Sequence, residues 1–305
     1  TDDESVARYE ARTADSEADP FDYRGTAWLG RTVEISTSVS PTGFRDVRRV
    51  RASDAQAEYL GLGQNLPLGQ TGFPSGTRAA TAAASDRCQW GPTAWNNPIA
   101  ASELRTANRI VSADGGQAAV LTNAEFTDTG LLGMDRLDEY RIVHFATHGL
   151  VTAPQPECPP RPALMTSFGD GESDGLLSFA EIFDLQMDAD LVILSACNTA
   201  SAGGLVASRE AGISGTGDFT LDGLVRAFVG AGSRTVVASH WPVPDDFDAT
   251  GKLISGLFEA DEGVATTRAL RDAQLALMDD AATSHPFYWA AFAVVGDGTV
   301  PVRRQ

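Results

Sequence analysis

Short aliphatic runs recur along the chain at 58–63, 118–122, 141–146, 190–195, 235–239 and 289–295, each bounded by glycine, proline or polar residues. Runs without clean polar alternation read as strands buried on both faces, as in a parallel sheet. Between them, apolar residues return with helical spacing over 99–112, 128–137, 221–231, 248–260 and 266–281. Alternating strands and helices imply an α/β fold, a mostly parallel sheet with helices on both faces. Shorter signals add a strand at 163–168, a helical turn near 179–183, and one or two strands with a short helix over 28–51. Three stretches rich in Gly, Pro, Ser or Ala interrupt the pattern at 64–98, 153–162 and 198–220, and 169–175 is a Gly/Asp-rich turn. A loop as long as the first, inside a compact domain, is functional or disordered. No internal repeat is visible.

Two of the runs end in reactive side chains. YRIVHFATHG (140–149) delivers His148 next to Gly149, and DLVILSACNT (190–199) delivers Cys197 next to Ala196. Ligands bind at the carboxyl ends of strands in open α/β sheets, so both residues can meet over one crevice. A thiol beside an imidazole is a nucleophile with its proton acceptor. The two stand 49 residues apart (197 − 148), close to the roughly 50 that separate histidine from cysteine in caspases. Either residue alone would read as a packed core residue. The case rests on strand context, order, spacing and the small neighbours together.

With these motifs the chain resembles the CHAT-domain family of caspase-like, separase-related cysteine peptidases. Further family-like segments are 59–63, 162–164, 174–177, 223–232, 239–243 and 286–296, which covers most of the chain after about residue 57. The resemblance implies a caspase-like three-layer sandwich over 57–305, with 1–56 as an N-terminal extension on its edge. It also implies a Cys197 nucleophile, His148 as proton-transfer partner, and an oxyanion hole from the backbone N–H groups of Gly149 and Cys197. A free cysteine titrates near pH 8.5, so Cys197 needs such a neighbour to react at neutral pH. No third triad member stands out. The implied setting is the effector end of a larger bacterial protein, with upstream TPR repeats or a regulatory protein as partner. The other reading open is an inactive peptidase-like scaffold for protein interaction.

The segment after Trp241 resembles the acidic stretch that holds a basic P1 side chain in separases, which makes Asp245 and Asp246 substrate-binding candidates with Asp248 beside them. Asp174, in Asp-Gly-Leu-Leu, matches another family motif. Each also has a plain structural reading, Asp248 as the N-cap of the next helix and Asp174 as a turn residue. His240 stands where the family pattern has an apolar residue, and either rims the pocket or packs there. His144 and His148 lie four apart, a metal pair if helical. The β-rich run makes His144 a strand histidine instead, and no metal or cofactor is expected. Cys88 and Cys158 have no metal-like spacing and read as free thiols.

Composition narrows the partners. The chain has 305 residues, 43% hydrophobic, enough for a substantial core. Its net charge of -18 excludes a basic face for nucleic acid or anionic membrane and suits a basic peptide or simple solubility. Eight Asp or Glu fall within 1–22, an acidic lead-in. Three cysteines do not make a disulfide framework, and a reactive thiol persists best in reducing surroundings, which points to the cytoplasm. No apolar run is long enough for a membrane span. The chain opens at Thr1 rather than at methionine, which leaves an upstream signal or domain open.

Overall fold

A computed structural model describes residues 22–304 apart from 39, 70–72, 84–86, 151–154, 156, 160, 196–216, 242 and 244–245. Its centre is a seven-stranded sheet in the order β1-β10-β9-β8-β4-β2-β3. The strands are β1 (Ser36–Thr37), β2 (Ala57–Gly63), β3 (Ala118–Thr122), β4 (Tyr140–Ala146), β8 (Leu191–Ser195), β9 (Thr235–Ser239) and β10 (Phe292–Gly296). All neighbours pair in parallel except β10 against β9. A second, three-stranded antiparallel sheet joins β5 (Gly149–Leu150), β6 (Ala163–Met165) and β7 (Leu176–Ser178). The helices are α1 (Pro41–Val47), α2 (Arg78–Ala83), α3 (Ser102–Ala113), α4 (Asp128–Leu132), α5 (Phe179–Asp184), α6 (Gly217–Gly230), α7 (Ala249–Phe258), α8 (Thr266–Asp279) and α9 (Pro286–Trp289).

Strand side chains alternate between two cores. Leu60, Leu62, Val143, Phe145, Val192 and Leu194 face one side, where Ile182 of α5 and Leu224, Val225 and Phe228 of α6 cover them. Tyr59, Ile142, Leu191, Ile193 and Val237 face the other, under Ala107 and Val111 of α3, Leu253 and Leu257 of α7, and Leu270 and Leu277 of α8. Both faces of the central strands are therefore dry, which is why their sequences are continuous aliphatic runs. The result is the three-layer α/β sandwich expected, with one antiparallel edge.

Close approach at the middle of the sheet depends on glycine. A Cβ on Gly63 would collide with the Ala146 carbonyl and lie 3.1 Å from Leu104 of α3. On Gly61 it would meet the Tyr59 ring, which runs along the strand to place its hydroxyl 3.0 Å from His144 Nδ1. Residues 22–38 and 40–49 lie along the far edge: β1 extends the sheet beside β10, Trp28 packs edge-on to Trp289 at 5.4 Å, and Arg31 pairs with Asp279 at 2.8 Å.

Candidate active site

Strand register decides where the two reactive positions fall. Ala146 at the end of β4 is paired with Ser195 at the end of β8. His148 lies two residues beyond the first and Cys197 two beyond the second. Cys197 itself is outside the described residues, as is the loop that follows it.

His148 is fully buried, 1% exposed, at the point where the chain leaves the large sheet for the small one. Its carbonyl accepts from Met165 N–H at 2.9 Å, and the preceding Thr147 hydroxyl donates to the Met165 carbonyl at 2.6 Å. Because 148 and 165 form a hydrogen-bonded pair, Gly149 and its partner Leu164 occupy the next, non-bonded rung. That turns the Gly149 N–H away from β6.

The imidazole Nε2 lies 2.5 Å from the backbone oxygen of Asn97. A carbonyl can only accept, so Nε2 carries the proton. Nδ1 is then the nitrogen left to take up or release a proton. Asn97 sits at the end of the long 64–98 loop, after a short 3-10 turn (Pro92–Asn96). That turn is anchored by Trp95, which is fully buried, donates from its indole to the Thr166 carbonyl at 3.0 Å, and packs against Phe73 and Phe168. Asn96 exchanges two hydrogen bonds with the backbone of Gly69.

His144 belongs to β4, not to a helix, and is completely buried. It stands between the Tyr59 hydroxyl and Glu103 of α3, whose carboxylate is 3.5 Å from Nε2. Burial, and then the Glu103 charge, push the Tyr59 phenol well above its ordinary value. This neutral Tyr59 hydroxyl completes a polar cluster inside the core beneath α3, with His144 four residues before His148.

The acidic candidates separate. Asp174 is half-buried; its Oδ1 accepts from Leu176 N–H at 3.1 Å, the turn geometry, and its Oδ2 pairs with Arg78 at 2.6 Å. Burial raises its pKa, with Arg78 opposing. Arg78 also reaches Glu181 at 3.3 Å. Beneath the turn, buried Asp128 accepts from Ser173 Oγ and from the N–H groups of Asp174 and Gly175. Asp245 lies outside the described residues, and Asp246 opens a short 3-10 turn (Asp246–Asp248). Asp248 precedes α7 in the left-handed conformation, φ 52°, and makes no side-chain cap. The capping expectation fails because this backbone turns its carboxylate over Gly251 instead. His240 is exposed, and Trp241 stacks on Phe287 with ring centroids 6.3 Å apart.

Cys88 and Cys158 are not free thiols but a disulfide, Cα atoms 5.5 Å apart and 70 residues apart in sequence. The bond joins the loop carrying Asn97 to the segment that leaves His148. The expectation of a reducing compartment thereby loses the footing it had in unpaired cysteines. Among the described residues no helix is long and apolar enough to cross a membrane.

Comparison with known proteins matches the CHAT domain over residues 10–297. The chain belongs to the CHAT family. CHAT domains are caspase-like and separase-related cysteine-peptidase folds, in keeping with the mostly parallel sheet and the histidine at a strand end. The match begins inside the segment read as an extension. The chain is also similar to tetratricopeptide repeat protein 28 from Homo sapiens, 28% identical over 246 residues, and from Mus musculus, 29% identical over 249 residues. Each alignment covers 70% of this chain but only 9% of the relative, so the chain corresponds to a small part of those proteins.

Two features of this CHAT site carried almost no signal in the sequence. Asn97 acts through its carbonyl, which any residue could supply. Gln64, at the end of β2, is bonded to both Ala146 and Ala101; its one trace in the sequence is a large polar residue directly after two strand glycines.

Proposed function

We propose that the chain is a cysteine endopeptidase domain in which Cys197 attacks a peptide carbonyl and His148 moves the proton. The observation that supports this most is the buried His148 imidazole, its Nε2 committed to the Asn97 carbonyl, two residues past a strand whose register partner ends two residues before Cys197. With Nε2 protonated, Nδ1 takes the thiol proton and returns it to the departing amine. The Gly149 N–H, turned away from β6, and the Cys197 N–H would hold the oxyanion. Water then hydrolyses the acyl-enzyme with the same base.

Asp174 is held by Arg78, which leaves Asp245 and Asp246 to receive a basic P1 side chain, since a desolvated carboxylate favours a charged partner. In the same reading, 57–305 is the catalytic unit, 1–56 an edge extension, and the whole the effector of a longer protein with TPR repeats or a regulator upstream. A bacterial, cytoplasmic setting belongs to this proposal, with the Cys88–Cys158 bond weighing against reducing surroundings.

Fluorogenic peptides differing only at P1 test it, with wild type and Cys197→Ala side by side. Cleavage after Arg or Lys by wild type, lost in Cys197→Ala at an unchanged melting temperature, is the expected result. Retained cleavage in the variant means another nucleophile. Faster turnover of Leu or Met at P1 removes the acidic pocket. No cleavage at all, with Cys197 inert to a peptidyl electrophile, leaves the scaffold reading.

A further inference from the structure

The contact that orients His148 comes from a loop, and loops do not hold a carbonyl to a fraction of an ångström by themselves. What fixes this one is the pair of residues at the end of β2. Gln64 Oε1 accepts from Ala101 N–H at 3.0 Å, four residues after Asn97. Asn65 Nδ2 donates to the Trp95 carbonyl at 3.1 Å, two residues before it. The adjacent amides therefore grip the loop on both sides of the carbonyl that meets His148. The same Gln64 is tied to the histidine's own strand, its N–H donating to the Ala146 carbonyl at 3.3 Å.

The backbone of Gln64 adds an independent sign. It sits at φ 52°, the left-handed region that glycine occupies without strain, and it follows a strand rich in glycine. Strain of this kind persists where surrounding contacts over-determine it and gathers at functional sites. Every polar atom of Gln64 is in use: its carbonyl accepts from Asn123 N–H at 2.9 Å and its Nε2 donates to Asn123 Oδ1 at 3.4 Å, besides the two bonds above. Asn123, at the end of β3, is itself left-handed at φ 54°. A glycine at 64 would relax the turn and lose the grip on Ala101.

We propose that Gln64 and Asn65 are positioning residues that hold the Asn97 carbonyl against His148 and so set its tautomer. The inference rests on the peptidase reading for its catalytic consequence and on geometry alone for its effect on the imidazole. If the clamp works this way, releasing it frees Nε2 to lose its proton and removes the bias that leaves Nδ1 as the base. Small misplacement of a catalytic group costs up to about 10²-fold in rate.

The test uses protein labelled with 15N-histidine, whose four histidines are few enough to assign with a His148→Asn control. Long-range 1H–15N correlations, recorded where His148 is neutral, report its tautomer. Wild type should hold the proton on Nε2. Gln64→Gly and Asn65→Ala should give a mixture, while Gln64→Glu, which keeps an acceptor for Ala101 N–H, should restore the wild-type pattern. Gln64→Gly trades relief of the left-handed strain against the bonds to Ala101 and Asn123, so the melting temperature of each variant is read alongside. A tautomer change in protein that is still fully folded separates loss of positioning from loss of structure. On an Arg fluorogenic peptide, Gln64→Gly should lose about tenfold to 10²-fold in kcat at nearly constant KM. An unchanged His148 tautomer in both Gln64→Gly and Asn65→Ala would overturn the proposal. If wild type cleaves nothing, the tautomer readout alone decides, so the clamp and the peptidase reading fail separately.

Discussion

The two ends of the central sheet are built from opposite materials. At the amino end, fixed charges interlock. Arg141, buried under the C-terminal residues, pairs with Glu58 at 2.6 Å and donates to the Pro301 carbonyl; burial lowers its pKa while Glu58 and Asp190 oppose that. Asp190, 1% exposed, lies among Arg141, Arg234 and Arg304 and accepts from Ser53 N–H. At the carboxyl end, the described partners of His148 are backbone groups and neutral side chains: Asn97 O, Met165 N–H, and through the loop Gln64 and Asn65. A permanent charge suits a lattice whose members never change state. A histidine that gains and loses a proton, the role proposed for His148, works better against a neutral carbonyl, since an adjacent carboxylate favours the protonated form.

Two substitutions should dissociate the ends. His148→Ala should lower peptide cleavage roughly 10²- to 10⁴-fold, the range of general acid–base catalysis, with the smaller effect on stability. Arg141→Ala should do the reverse, costing about 3–5 kcal/mol because Glu58 keeps its charge without its buried partner and the Pro301 and Val302 carbonyls lose their donor, while Asp190 retains Arg234 and Arg304. Urea unfolding measures one loss, and initial rates normalised to folded protein the other. Loss of cleavage in the folded fraction of Arg141→Ala would show that the two ends are not separate.

The same contrast explains what was legible in the sequence. Strands read almost to the residue: Thr235–Ser239, buried throughout, leaves an unbroken aliphatic run, and Ala118–Thr122, the half-buried edge strand, is set off by the glycine pair before it. The last strand did not. The run 289–295 reads as one strand, yet Pro286–Trp289 is a helical turn with Pro first and His285 accepting from Phe287 N–H, and the strand is Phe292–Gly296. The helix expected over 128–137 stops at Leu132, with Gly133 after it. Of the small sheet only the strand at 163–168 was read, observed as Ala163–Met165, while Gly149–Leu150 and Leu176–Ser178 were missed because strands of two or three residues carry no period. Of the site, His148 was legible as the side chain just beyond a strand end, and Cys197 lies outside the described residues. The Asn97 carbonyl has no side-chain signature, and a cystine 70 residues apart leaves no local pattern.

That cystine gives a third, smaller effect. Closing about 70 residues of chain stabilises by roughly 4 kcal/mol in the chain-entropy model, and measured values commonly fall at 2–4. Reduction, or Cys88→Ser with Cys158→Ser, should lower the unfolding free energy read from urea titration by that amount, and the midpoint with it, yet leave Trp95 seated through its own bond to Thr166. The amino end should be untouched in structure. An identical midpoint with and without reductant would mean that the bond does not form in solution.

The smallest expected effect is the most diagnostic, because one carboxylate on each side of the comparison titrates in the opposite sense. For Asp188, at the amino end, burial raises the pKa, but Arg234, the Asp54 N–H and Ser53 together outweigh it and leave the carboxyl lowered. Its contribution is complete above the unfolded value, about 3.9, and is lost as pH falls through the lower folded value. For Asp174, burial leads and the folded pKa is raised despite Arg78. Its folded form binds the proton more readily, so wild type gains stability as pH falls from that raised value toward the unfolded one. Asp188→Asn should therefore lose its deficit against wild type as the solution is acidified, whereas Asp174→Asn should fall further behind. Unfolding free energies at a series of pH values between neutral and acid, for wild type and both variants, read the two slopes. Equal slopes would mean that the charged lattice and the Arg78-bound turn respond to acid in the same way, and the contrast between the ends would not extend to their carboxylates.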